Sequence, residues 1–88
     1  MQLFDLEAIR RFLVEVAQHY TQSAPDVSDW AGELYERCAD DWRTITLDEL
    51  RTAEWLRDGD GWVTATLAKQ TVARLQERQD RSHGGARP

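Results

Sequence analysis

The stretch Asp26-Val-Ser-Asp-Trp-Ala-Gly-Glu-Leu-Tyr-Glu-Arg-Cys-Ala-Asp-Asp-Trp42 decides the fold class. Val27, Trp30, Ala31, Leu34, Tyr35, Cys38 and Trp42 recur at three- and four-residue intervals, so they share one face of a helix. Asp26, Asp29, Glu33, Glu36 and Asp40 share the opposite face. Asp26 or Ser28 is the expected N-cap. A helix with one apolar face must bury it against another element, so the chain is read as helices packed around one core.

Working outward, the same pattern returns. Upstream, Leu6, Ile9, Phe12, Leu13, Val16, Ala17 and Tyr20 form one arc, with Asp5 as N-cap and Phe4 and Ile9 at the positions of a hydrophobic staple. Thr21-Gln-Ser-Ala-Pro25 interrupts it, because proline cannot continue a helix. Downstream, Thr46-Leu-Asp-Glu49 matches the capping box S/T-x-x-E, with Ile45 and Leu50 as its staple. That helix should carry Leu47, Leu50, Ala53 and Leu56 inward and end near Arg57, stopped by Asp58-Gly-Asp-Gly61 with Gly59 or Gly61 as the left-handed cap. A fourth helix, Thr66 to about Gln79, shows a thin stripe of Leu67, Ala68, Thr71, Val72 and Leu75. Arg43-Thr-Ile-Thr46 and Trp62-Val-Thr-Ala-Thr66 are rich in β-branched residues and are the two runs open to a short β pairing. The expected architecture is therefore all-α, a compact three- to four-helix bundle over residues 1–79 with a flexible tail over residues 80–88. Its interior should hold Ile9, Leu13, Val16, Tyr20, Trp30, Leu34, Cys38, Trp42, Leu50 and Leu56.

At 88 residues the chain is one small domain. No apolar run reaches the roughly 18 residues of a membrane span, and no signal peptide is visible, so a cytoplasmic protein is expected. The single Cys38 rules out an internal disulfide and suits a reducing compartment. The net charge of −5 is unevenly spread. Residues 1–66 hold six basic and fourteen acidic side chains (net −8), and residues 67–88 hold five basic and two acidic (net +3). The first of these segments is opposed to nucleic-acid phosphates; the second is not.

Catalytic chemistry has little to stand on. His19 and His83 are far apart, Cys38 falls on a buried face, and no nucleophile–base pair or Gly-rich phosphate loop is present. Asp58-Gly-Asp-Gly61 begins like a calcium loop, but Trp62 and Lys69 occupy ligand positions five and twelve, so it reads as a turn. The chain is expected to be no enzyme and to need no metal or cofactor.

The acidic face is the most informative feature. Asp29 with Glu33, and Glu36 with Asp40, are like charges at i,i+4, each destabilising by a few tenths of a kcal/mol. Asp40 and Asp41 sit near a helix C-terminus, where negative charge is disfavoured. Arg37 offers the only local relief. Such a face either meets a basic protein partner, such as a nucleic-acid-binding groove, or simply keeps the chain soluble. Trp55 and Trp62 bracket the glycine turn, either as interface anchors or as a cover over the end of the core.

Ala68-Lys-Gln-Thr-Val-Ala-Arg-Leu75 resembles the recognition helix of helix-turn-helix repressors, in which a Gln-Thr-Val-x-Arg run supplies base and phosphate contacts. The resemblance implies Lys69, Gln70, Thr71, Arg74 and Arg78 as DNA contacts. Three functions are therefore expected in order. The first is an acidic interaction module, similar in size, charge and class to the small helical inhibitors of phages and mobile elements, anti-CRISPR proteins and DNA mimics among them. The second is a DNA-binding regulator. The third is an accessory subunit of a larger assembly. A monomer or weak homodimer is expected.

Overall fold

The computed structural model describes residues 5–58 and 61–85. Among them the chain forms α1 (Leu6–His19), α2 (Pro25–Asp41), a 3-10 turn (Trp42–Thr44), α3 (Leu47–Trp55), β1 (Arg57–Asp58), β2 (Gly61–Trp62) and α4 (Ala65–Gly85). The chain is an all-α small bundle.

Local chemistry sets each start. The Asp5 carboxylate accepts the Glu7 and Ala8 amides and opens α1. Helix α2 begins without the expected Asp26 or Ser28 cap. Pro25 takes the first helical position, where its missing N–H loses nothing, and Ala24 is the N-cap. Ser28 instead donates its hydroxyl to the Ala17 carbonyl, tying α2 back to α1 at 2.8 Å. Helix α3 opens on the complete capping box. Thr46 Oγ1 accepts the Glu49 amide at 3.2 Å, and the Glu49 carboxylate accepts the Thr46 amide at 2.8 Å.

Helices α1 and α2 form an antiparallel pair, and α3 and α4 close over it. Leu13, Val16, Tyr20, Val27, Trp30, Leu34, Leu56, Val72 and Leu75 fill the interior. Cys38 is buried as expected, while Ile9 and Leu50 are only partly covered.

Leu47, expected inward, is 61% exposed. Three more expectations need correction. Trp42 is not interior: it is 46% exposed. Helix α2 ends at Asp41, whose carboxylate accepts the Arg43 amide and starts a 3-10 turn, so Trp42 leaves the phase that would have carried it inward. The β pairing joins Trp62 to Arg57 and Gly61 to Asp58, not Arg43–Thr46 to Trp62–Thr66. Arg43–Thr46 is consumed by that 3-10 turn and by the α3 cap, and a ribbon across a two-residue loop closes with far less entropy loss than one across a helix. Finally, α4 does not end near Gln79 but continues to Gly85. Of the two glycine caps expected, Gly59 lies outside the described residues, and Gly61 pairs in β2 without a left-handed φ.

The ribbon matters for packing. The Val63 amide donates to the Leu56 carbonyl at 2.9 Å, and the Tyr20 hydroxyl donates to the Val63 carbonyl at 2.5 Å. Burial pushes the Tyr20 phenol pKa up. These bonds hold Trp62 and Val63 against the core, where α4 begins.

Candidate interaction surface

The five carboxylates of the α2 stripe, at residues 26, 29, 33, 36 and 40, are all exposed. At about 100° per residue they fall within an arc of about 80°, some 130–140° from the centre of the buried face. The stripe is thus a flank rather than the back of the helix. Glu33 shares a cleft with Arg37, Gln76 and Gln79, which places the middle of the stripe beside α4. From Asp26 to Asp40 the stripe runs about 21 Å at 1.5 Å per residue. Its mean axial spacing of about 5 Å per charge is about half again that of one DNA strand, about 3.4 Å.

Two cations near the stripe are paired with other carboxylates. The Arg37 guanidinium, in the same cleft as Glu33, donates to the Glu49 carboxylate on α3 and forms no ion pair with the acids at 33, 36 and 40. Arg43 pairs with Asp41 at 3.0 Å, and this hydrogen bond holds the Asp41 carboxyl below the usual carboxylate range. Among the described residues no ion pair reaches Asp26, Asp29, Glu33, Glu36 or Asp40.

Glu49 is the residue that sequence reasoning placed but did not understand. The capping box marked it, yet nothing in the local pattern says that it is 1% exposed. Burial alone would raise its pKa. The hydrogen bonds from the Thr46 backbone, Arg37 and Gln79 outweigh burial and hold the carboxyl below the ordinary glutamate value. One carboxylate therefore joins α2, the start of α3 and α4.

The two candidate tryptophan anchors part company. Trp55 is 41% exposed. Trp62 is half-buried in an aromatic cluster, with the His19 ring stacked 4.5 Å away, Tyr20 edge-on at 5.9 Å and the Arg57 guanidinium 5.5 Å above the ring. It covers the end of the core. Cys38 is buried in α2. Among the described residues no group of three His, Cys, Asp or Glu side chains is arranged to hold a metal.

On α4, Ala68, Val72 and Leu75 face the core. Gln70, Arg74 and Arg78 project from a common outer arc, and Thr71 is partly covered. Lys69 lies about 140–180° around the helix from the two arginines, so the five residues do not form one surface. Glu77 shares the shallow cleft of Arg74 and Arg78. Between α3 and α4 stands the β ribbon, where a helix-turn-helix has a turn of three or four residues.

No family model, curated protein or solved structure matches this chain. Among the described residues no helix is long and apolar enough to cross a membrane.

Proposed function

We propose that this protein is a non-enzymatic interaction module whose α2 flank engages a basic, nucleic-acid-binding protein and inhibits or regulates it. The observation that supports this reading is the uncompensated stripe: five exposed carboxylates without an ion pair among the described residues, next to an arginine spent on a buried glutamate. A purely solubilising face gains nothing from stacking like charges at i,i+4, and Arg37 would lower their repulsion by turning outward. Small acidic inhibitors of phages and mobile elements work in this manner, an analogy of size and charge.

Affinity purification with wild type and the Glu33→Lys/Glu36→Lys double variant, at low and moderate salt, tests the reading. The partner should be captured by wild type, released by salt and absent with the variant. An unchanged set of captured proteins refutes the proposal.

A second reading rests on the outward arc of Gln70, Arg74 and Arg78: a DNA-binding regulator using α4. The net −8 of residues 1–66 works against it. A mobility shift at low salt that vanishes with Arg74→Ala/Arg78→Ala would favour it over the first. The third reading, an accessory subunit anchored through Trp55, predicts an isolated chain that associates on size exclusion.

A further inference from the structure

An apolar groove of about 570 Å³ runs between α1 and α3, floored by Leu13 and Ala53 and walled by Ile9, Phe12, Leu47 and Leu50. It continues past Ile9 and Leu50 into an apolar recess of about 190 Å³ that reaches Trp42. One end is closed by the Arg57–Glu15 ion pair at 3.2 Å. The other opens beside Leu6, Trp42 and Asp40. Leu47 on its wall is 61% exposed, although its spacing places it on the apolar stripe of α3.

We infer that this groove docks an amphipathic helix of basic character from a partner protein. The shape fits. From Leu6 to Glu15 the α1 wall is about 13–14 Å long, enough for apolar anchors at i, i+3 or i+4, and i+7 of one inserted helix. The charge selects the occupant. Of the arginines lining the groove and its mouth, Arg43 pairs with Asp41 and Arg57 with Glu15, while Arg10 lies over the Tyr35 ring with no ion pair among the described residues, a single guanidinium against two carboxylates. Asp40 at the mouth and Glu54 on the α3 wall have no ion pair among the described residues. A second copy of the chain would bring the same carboxylates face to face, so the rim disfavours self-association and favours lysine- and arginine-rich flanks. The inference rests on the reading above in one respect, that the partner is basic, and its groove shares only Asp40 with the stripe.

The test measures fluorescence anisotropy of a labelled 14-residue helical peptide with leucines at i, i+3 and i+7 and lysines on its other faces. The comparison peptide carries glutamate in place of lysine. The lysine peptide should bind, and the glutamate peptide should bind about tenfold more weakly or worse. Leu47→Asp should weaken the lysine peptide about tenfold while leaving the circular dichroism spectrum unchanged, since Leu47 faces mostly solvent. Glu54→Lys, a change at an exposed position, should weaken it as well. Glu33→Lys/Glu36→Lys should leave it within about twofold, because the middle of the stripe lies beside α4. Equal binding of both peptides, or indifference to Leu47→Asp, overturns the inference. So does a dimer on gel filtration that Leu47→Asp disperses, since the occupant is then a second copy. Loss of the peptide through the stripe variant alone also overturns it, yet leaves the stripe reading standing. Conversely, an unchanged set of captured proteins ends the stripe reading and leaves the peptide result intact.

Discussion

Glu49→Gln offers the sharpest check on how this bundle is held together. The carboxylate is 1% exposed and accepts from Arg37 and from the Thr46 amide. A charge-assisted bond of this kind contributes about 1.5–3 kcal/mol when both partners are buried. Here the Arg37 side chain is 41% exposed, so water screens part of the pair and about 1 kcal/mol remains. The glutamine oxygen can still accept from Thr46, but its NH₂ then meets the Arg37 guanidinium, donor against donor. Even with the Gln79 amide flipped to offer its oxygen, one amide hydrogen still faces the guanidinium, at a further cost of about 1–2 kcal/mol. The variant should therefore lose about 2–3 kcal/mol, or about 10–20 °C in Tm for a domain of this size. The pH dependence has a definite sign. The folded-state pKa of Glu49 is depressed, so its contribution is fully present above the unfolded value of about 4.3 and is lost as pH falls through the folded one. Thermal melts followed by circular dichroism at pH 7 and at steps below pH 4.5 read both effects. The gap between wild type and variant should be wide at neutral pH and close in acid. An Arg37→Ala/Glu49→Gln double variant should lose less than the two single losses combined. A variant melting within about 2 °C of wild type at pH 7, or a gap that persists unchanged in acid, would refute the account.

Further expectations follow from other contacts. Glu36→Lys turns the repulsion with Asp40 and Glu33 into attraction and sets a cation near the α2 C-terminus, so it should raise stability by about 0.5–1 kcal/mol in thermal melts while weakening partner capture. A drop in Tm would contradict the picture of a stripe kept at the expense of stability. Tyr20→Phe removes the hydroxyl bond to the Val63 carbonyl and should lower stability by about 1 kcal/mol in urea unfolding, with no change in slope. Trp62→Ala strips the ring from beneath His19 and Arg57 and should cost about 2–3 kcal/mol, read as a fall in urea midpoint together with loss of near-ultraviolet dichroism. Little change in either signal would mean that the ribbon is not part of the cooperative unit.

Much of the bundle was legible because its information is local. The arc of α1, the long amphipathic α2 and the capping box of α3 each depend on residues within a turn or two of one another. The misreadings share one cause, since each depends on what a residue's surroundings do. Pro25 displaced Asp26 as the opener of α2 because a first-turn proline loses no hydrogen bond. Asp41 turned the chain early and carried Trp42 to the surface. The β-branched run at residues 43–46 had strand character, but two nearer uses, the 3-10 turn and the α3 cap, claimed it first.

The candidate surfaces divide in the same way. The five stripe acids of α2 were identifiable from the sequence alone, since helical geometry puts residues three and four apart on one side whatever the rest of the chain does. Whether that charge is neutralised is a tertiary matter. It turns on Arg37, which could have reached along its own helix and instead crosses to a glutamate twelve residues away. The groove between α1 and α3 is tertiary too. Leu47 and Leu50 have the spacing of core residues, yet the tertiary packing leaves one mostly in solvent and the other half-covered. Periodicity determines which residues can share a face, because backbone geometry repeats. How deeply that face is covered depends on contacts between segments that no local pattern encodes.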